Sequence, residues 1–439
     1  MSTPAPVALA PSAPAAASVR RLGTFDVLAI GVNAIVGAGI FRLPGRLAAL
    51  LGPASWLAFL VCGVLLLFVA LCFAEASGMF GQTGGPYLYA RSAFGRVPGF
   101  AVGWVCWVTM VVSWAAVASG IQSYAGYFVP RLAGGLPGRA LVTALVAALA
   151  LINYYGIRPG ALTTNLFTVG KLVPLALFVA VGAFHIRTGN LTPLWPTTAR
   201  AVGPAVLVAL FPLQGFEVAP VPAGETRDPE RAMPIAVLGS LVGAVFLYVA
   251  IQIVACGTLP GLAASEKPLA DAAATFLGAG GAALVAAGGL VSMVGFSAGT
   301  ALVSPRYLVA LADDGWLPAP LRRLHPRYGS PVAAIAVTCG LALAGVWLLP
   351  FDRLVDFSNI SVILQYVATC LAVAVLRVRR PDAPRTWRLP GGLAIPLLGL
   401  AVSLGLAAQA TWREALWTAG VIVAGAVVAL ASRPFAVRP

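Results

Sequence analysis

The chain has 439 residues, of which 60% are hydrophobic and 10% are charged, and its mean hydropathy is +0.92. A soluble domain carries about 25% charged residues, so this composition excludes a water-soluble protein and predicts an all-α polytopic membrane protein. The net charge of +14 does not indicate nucleic-acid binding. The arginines lie in short loops between apolar segments, which is typical of cytoplasmic loops.

Neither a cofactor nor a metal site is expected. The six cysteines lie within apolar segments and form no CxxC pair, and His185 and His325 are isolated from each other, whereas metal sites need clustered ligands. Residues 1–18 are rich in Ala, Pro and Ser and predict a disordered tail. A single transmembrane domain is expected over 19–432, followed by a short tail over 433–439.

Twelve segments are long and apolar enough to be membrane-spanning helices, each of which needs about 20 residues. In chain order they cover residues 25–50, 54–80, 97–129, 140–156, 163–185, 203–222, 234–258, 274–312, 331–349, 355–377, 392–409 and 412–432. With twelve spans and the N-terminus inside, eighteen of the 28 lysines and arginines lie on the inner side and nine on the outer side. This bias favours cytoplasmic N- and C-termini in the cell membrane.

The first span is interrupted by glycines at 37 and 39, and the sixth span by Pro212 and Gly215. Interrupted helices leave backbone groups unpaired, so they persist in lipid only where they line a cavity. Each interruption lies in the first helix of a five-span unit. Paired breaks of this kind predict two inverted repeats, at about 22–186 and 202–380, with a binding site between them and two additional helices at about 392–432.

Chemistry at the breaks suits a zwitterion. The half-helix after the first break presents free amides and the positive end of its dipole to a carboxylate. The preceding half-helix ends in free carbonyls that suit an ammonium group. The predicted substrate-binding residues are Ala34, Ile35, Gly37, Ala38, Gly39, Ile40, Phe211, Gln214 and Gly215. Phe211 and Phe216 flank the second break, where each is either a gate over the substrate or a packing residue.

Three ionisable residues, Glu75, Lys171 and Glu217, lie within spans, where charge is costly and therefore indicates function. The Lys171 amine is a candidate substitute for a bound cation that ties span five to span one, with snorkelling to the interface as the alternative. Glu217 is expected either to accept bonds from amides freed by the break or to carry a proton. Glu75 is a candidate for the same roles, and a structural hydrogen bond is the alternative.

Several motifs, in order and in matching spans, resemble the amino acid–polyamine–organocation transporter superfamily over most of residues 20–390. They are GAGIF (37–41), AEAS (74–77), GGPYLY (84–89), GFE (215–217), GETRDPERAMP (224–234), SPRY (304–307), DDGWLP (313–318) and HPRY (325–328). The chain departs from the family pattern at Pro220 and Pro222, in the expected inner half of span six.

The resemblance implies the LeuT-like fold, with helices one and six broken, and secondary transport of amino acids or amines by alternating access. It also implies carboxylate binding at 37–40, ammonium binding near Ala34, Ile35 and Phe211, and Phe211 as the occluding aromatic. Lys171 matches a lysine that replaces sodium in several branches of the family. Sodium-independent transport, coupled to protons or working by exchange, is therefore expected.

Two other functions are compatible with the sequence. A polyamine or organic-cation permease is the alternative within transport, although such a site should carry a further carboxylate. A membrane-embedded enzyme is the alternative from another class, but the sequence has no GxxxxGK[ST], HExxH or paired aspartates within the membrane. The expected partners are a small-molecule substrate and the lipid bilayer, and the sequence does not indicate an oligomeric state.

Overall fold

A computed structural model describes residues 20–195, 199–265, 267–409 and 411–432. The predicted tails at 1–18 and 433–439 lie outside these residues. Within the described ranges the chain forms fifteen α-helices, numbered α1 to α15 in chain order. They are Thr24–Ile35, Gly39–Leu51, Trp56–Ser77, Pro86–Phe94, Arg96–Phe128, Gly135–Tyr154, Ile157–Gly182, Val202–Leu213, Pro229–Thr258, Pro268–Val303, Pro305–Asp313, Val332–Leu348, Phe351–Arg379, Ala394–Ala407 and Trp412–Ser432.

Eight helical stretches in the described part of the chain are long and apolar enough to cross a membrane, and four shorter apolar helices accompany them. The shorter helices are Thr24–Ile35, Val202–Val218, Val332–Leu348 and Ala394–Ala407. The only β-structure among the described residues is an isolated bridge between Leu22 and Thr226. The expectation of an all-helical polytopic membrane protein is therefore confirmed at this level.

Glycine and proline set several helix ends. Gly95, at φ 95°, separates α4 from α5, and Gly156, at φ 113°, separates α6 from α7, because glycine adopts a positive φ at little steric cost. Proline at the first position of α9, α10 and α11 suits a helix start, where the missing amide is not needed. The predicted span at 274–312 lies within the single apolar stretch Pro268–Asp313, in which Pro305 begins a separate helix after Ser304.

Helix α5 lies at the centre of the bundle. It packs against α10, α12 and α13, and α4 lies against its first half. Residues on all sides of it are buried, among them Trp104, Trp107 and Trp114, and a helix that is apolar all round belongs in a protein interior. Helix α1 packs against α7 and α9, and α2 packs against α8, which brings the two interrupted segments together.

Candidate functional site

The first interruption lies between α1 and α2. Helix α1 ends at Ile35, residues 36–38 are non-helical, and α2 begins at Gly39. The Val36 amide still bonds to Val32 O at 2.8 Å, and the Gly37 amide bonds to Ile35 O at 2.9 Å. The first amides of α2 have no intrahelical acceptor. The electropositive start of this helix therefore faces the break.

The second interruption follows α8. Helix α8 ends at Leu213, Gln214 is extended, and Gly215 has φ 130°. The Gly215 amide donates to the Glu217 carboxylate at 2.9 Å, not to the carbonyl of Phe211 four residues earlier. The Phe211 carbonyl therefore loses its usual helical donor. Beyond the break the chain runs through short 3₁₀ segments at Phe216–Val218 and Ala223–Glu225, so the second half of this span, which contains Pro220 and Pro222, is not α-helical.

The two interruptions touch each other. A Cβ added to Gly39 would lie 2.7 Å from Pro212 Cβ, and one added to Gly215 would lie 2.7 Å from the Ala34 carbonyl oxygen. Both distances are shorter than real Cβ contacts. The glycines therefore allow a backbone approach that no other residue would permit, and each break is packed against the other.

A cavity lies between the interruptions and offers about 50 Å³ to the centres of water molecules, which is room for a few of them. Most of the predicted substrate-binding residues line it, together with Glu217. They are Ala34, Ile35, Gly37, Ala38, Gly39, Phe211, Gln214 and Gly215. The side chain of Ile40 does not line the cavity and is fully buried in the core.

Most carbonyls at the end of α1 are already hydrogen-bonded. The Ile35 carbonyl accepts from the Tyr248 hydroxyl at 3.1 Å and from the Gly37 amide, and the Gly37 carbonyl accepts from the Ser292 hydroxyl at 3.1 Å. The Ala34 carbonyl has no hydrogen-bond donor among the residues described. Ala34 and Phe211 thus carry carbonyls that remain open to a ligand beside the cavity.

Lys171, on α7, lies behind the first interruption and is fully buried. Its Nζ donates to Asn33 O at 3.0 Å and to Val36 O at 2.6 Å, and Val36 O also accepts from the Ser292 hydroxyl at 2.8 Å. The side chain does not snorkel to an interface. It satisfies carbonyls that the end of α1 leaves unpaired, and it ties α7 to the break.

Glu217 lies just after the second break and is 5% exposed. Its Oε2 atom accepts from the Gly215 amide and, at 3.2 Å, from the Tyr366 hydroxyl of α13. The carboxylate thus accepts a bond from an amide freed by the break, which is one of the two roles expected for it. Phe216 does not line the cavity. Its ring is fully buried and stacks on Tyr366, with the ring centroids 5.4 Å apart.

Glu75 lies away from the cavity, in a buried ionic cluster. Arg377 donates to both oxygens of the Glu75 carboxylate, from Nε to Oε1 at 2.8 Å and from Nη2 to Oε2. Arg385 Nε lies 3.4 Å from Glu75 Oε1. The Leu389 amide donates to Glu75 Oε2 at 3.0 Å. This arrangement corresponds to the structural alternative for Glu75, since it ties α3 to the end of α13 and to the loop that follows.

Sequence reasoning missed the cavity wall that other helices contribute. These residues are Thr109, Met110, Ser113 and Val117 of α5, Phe296 and Thr300 of α10, Tyr307 of α11, and Gln365 of α13. The polar residues 109 and 113 and the apolar residue 117 recur every four positions, so they share one helix face. Polar residues on one face of an apolar span could have indicated a cavity-lining face. The local sequence does not show which face of α5 contacts the two breaks.

A bundle of apolar helices that encloses a cavity between two interrupted segments, with backbone groups left open to a ligand, defines a multi-pass membrane transport protein. Comparison with known proteins agrees: a family model for amino acid permeases matches residues 22–430. The chain therefore belongs to the amino acid permease family. Its members move amino acids across membranes, so the protein is an amino acid transporter and not an enzyme.

Relatives in Bacillus subtilis (strain 168) cover most of the chain. The branched-chain amino acid permease BcaP is 28% identical over 90% of this chain and 88% of its own length. The serine/threonine exchanger SteT is 29% identical over 88% of this chain and 89% of its own length. A methylthioribose transporter is 24% identical over 88% of this chain and 87% of its own length. The substrates in these names differ, so the resemblance does not specify the substrate of this chain.

Proposed function

We propose that the protein is a secondary transporter of the cell membrane that carries amino acids by alternating access. The proposed fold has twelve spans, formed by the eight long stretches and the four shorter apolar helices. It comprises inverted repeats at about 22–186 and 202–380, followed by two further helices at about 392–432. The observation that carries the proposal is the mutual contact of the two interruptions around one cavity.

The substrate is held mainly by backbone groups. Its carboxylate lies at the start of α2, where the amides of Ala38, Gly39 and Ile40 and the helix dipole favour an anion. Its ammonium group lies between the carbonyls of Ala34 and Phe211. The hydrogen bonds already formed support this placement of the ammonium group. The neighbouring Ile35 carbonyl already accepts from the Tyr248 hydroxyl and the Gly37 amide, so it is not available to the substrate. Phe211, which lines the cavity, closes over the bound substrate.

Alternating access requires one side of the cavity to be sealed while the other is open. The amides of Arg21 and Leu22 donate to Glu225 O at 2.9 and 3.0 Å, and the Arg227 amide donates to Leu22 O at 2.8 Å. Arg306 forms an ion pair with Glu225. With both termini cytoplasmic, the backbone bonds join the inner ends of the two interrupted spans and the ion pair adds α11 to them. We expect these contacts to break when the site opens inwards.

Transport is proposed to be independent of sodium. The Lys171 amine contacts two backbone carbonyls at the end of α1, which is the kind of carbonyl site at a half-helix end that would otherwise suit a small cation. Coupling then falls to protons or to exchange of one substrate for another. Glu217, a carboxylate in the cavity wall, is the proposed proton carrier if protons are coupled.

Counterflow in proteoliposomes tests this function. Vesicles loaded with an unlabelled amino acid should accumulate the same labelled amino acid transiently, with saturation, and equally in sodium and choline buffers. A thermal-shift screen of amino acids and amines on the purified protein selects the probes, because a ligand that binds only the folded state raises its stability. Uptake that does not saturate, or uptake that requires sodium, would contradict the proposal.

A polyamine or other organic cation is the second candidate substrate class, because Glu217 lines the cavity and offers a carboxylate for a second amine. Putrescine belongs in the same thermal-shift screen and counterflow assay. Saturable putrescine counterflow, with none for any amino acid, would favour this alternative.

A further inference from the structure

The polar side chains of the cavity wall differ in whether they already have a partner. Two threonines bond to their own helices: Thr109 Oγ1 donates to Val105 O at 2.7 Å, and Thr300 Oγ1 donates to Phe296 O at 2.9 Å. Such bonds to the preceding turn are common for hydroxyl side chains in apolar helices. Neither hydroxyl proton is therefore free for a ligand.

Three further polar side chains of the wall pair with neighbouring residues. The Ser113 hydroxyl lies 2.6 Å from that of Ser358, and Gln214 Nε2 donates to Asn359 Oδ1 at 3.0 Å. The Tyr307 hydroxyl lies beside the thiol of Cys106. Glu217 is held by the Gly215 amide and the Tyr366 hydroxyl, as described above.

Gln365 is the exception. It lies on α13, lines the cavity and is only 3% exposed, yet its carboxamide has no hydrogen-bond partner among the described residues. A glutamine side chain offers two donors and an acceptor with two lone pairs, and buried polar groups are nearly always paired. The group that completes these bonds therefore has to come from the cavity.

Gln365 lies on the part of α13 that follows the contact of this helix with the second break. It is six residues along α13 from Asn359, the partner of Gln214, which is about 9 Å along a helix axis. The adjacent residue, Tyr366, bonds to Glu217. Gln365 thus belongs to the stretch of α13 that also contacts Glu217.

We propose that Gln365 is a specificity-determining residue that hydrogen-bonds the side chain of the transported amino acid and selects uncharged polar side chains. This inference rests on the proposed function. A carboxamide both donates and accepts, so it pairs with a hydroxyl or with another carboxamide. An aliphatic side chain would leave it unpaired, and a site built to hydrogen-bond its substrate discriminates strongly against analogues that lack the group.

Charged side chains fit the cavity less well. Its wall contains no lysine, arginine or histidine among the described residues, so an acidic side chain would lack a countercharge. The carboxylate of Glu217 already accepts two bonds that hold the second break, which leaves it less available to a basic side chain. The preferred substrate class is therefore a serine-, threonine-, asparagine- or glutamine-like amino acid.

Threonine and valine test the proposal because they are nearly equal in size and differ in one hydroxyl group. Their uptake is compared in proteoliposomes containing wild-type protein, Gln365→Leu or Ser361→Ala. Ser361 is the matched control: it lies on the same helix, outside the cavity wall, and its hydroxyl bonds to Phe357 O at 2.7 Å.

The wild type and Ser361→Ala should favour threonine over valine by about tenfold or more in kcat/KM, as expected for one buried hydrogen bond that the analogue cannot form. Gln365→Leu should bring the ratio close to one, chiefly by lowering threonine uptake. If Gln365→Leu does not fold, Gln365→Glu and the thermal shifts that threonine and valine induce in the wild type provide the same comparison.

A wild type that does not distinguish threonine from valine overturns the proposal. A preference that survives Gln365→Leu, or an equal loss of both substrates in that variant, also overturns it, because Gln365 would then act through packing. Failure of the proposed function is distinguishable, because the wild type would then transport no amino acid at all.

Discussion

Gly39→Ala should weaken substrate binding, because it adds one methyl group where the two interruptions meet. The new Cβ would lie 2.7 Å from Pro212 Cβ and 3.0 Å from Pro212 Cα. Carbon atoms normally stay about 3.5–4.0 Å apart, so the start of α2 and the end of α8 must separate by roughly 1 Å. Neither Pro212 atom belongs to a flexible chain end, so the strain cannot be relieved by a rotamer change.

The size of the effect follows from that displacement. Overpacking of this kind costs about 1–3 kcal/mol, which corresponds to roughly a 5- to 150-fold change in an equilibrium constant. We expect the dissociation constant of the amino acid selected by the thermal-shift screen to rise by about 5- to 150-fold. Counterflow in proteoliposomes should fall accordingly, because the amides of α2 and the carbonyl of Phe211 would no longer lie at the spacing that the substrate needs.

Gly203→Ala is the matched control, since Gly203 lies in α8 and a Cβ there would meet nothing within 4 Å. It should leave affinity unchanged and should not lower the melting temperature, because alanine favours a helix over glycine. An affinity for Gly39→Ala within twofold of the wild type would refute the reasoning. It would mean that the close approach of the breaks does not position the groups that bind the substrate.

Three further substitutions test the neighbouring features. Lys171→Met removes the donor to two carbonyls of α1 and should abolish or strongly reduce counterflow, whereas unchanged uptake between pH 5 and 8 would exclude its role as a cation substitute. Phe211→Ala should speed substrate release several-fold in single-turnover efflux, and unaltered efflux would place the gate elsewhere. Glu75→Gln should destabilise the protein by about 3–5 kcal/mol, the usual effect of breaking a buried ion pair. It should do so without changing substrate preference in competition assays, and a melting temperature equal to the wild type would show that the pair with Arg377 is not stabilising.

Local chemistry explains why the interruptions were predictable. Gly37, Gly39, Pro212 and Gly215 interrupt apolar segments through their own backbone properties, and the structure ends α1 at Ile35 and α8 at Leu213. The motifs likewise indicate the family from the sequence alone. Helix ends were predicted less well: α11 separates from α10 at Pro305, and α4, which begins at Pro86, was not predicted as a helix.

Partners distant in the chain could not be predicted. Glu75 was recognised as unusual, but its bond to Arg377 joins residues 302 positions apart, and only the packing of α3 against α13 brings them together. Gln365 is one polar residue among several in apolar spans. Its importance emerges only from the surrounding bonds, which pair Ser113, Gln214 and Glu217 of the cavity wall but leave the Gln365 carboxamide without a hydrogen-bond partner among the described residues.

The sequence by itself determined that the protein is an all-helical membrane transporter interrupted in two spans. Hydropathy and helix-breaking residues act locally, so their effect does not depend on how the helices pack. The tertiary structure decided which groups remain open to a ligand. A carbonyl at Ile35 is satisfied by Tyr248 from another helix, and an amide at Gly215 is satisfied by Glu217. Pairing of this kind depends on distances and directions between helices, which no local pattern of residues encodes.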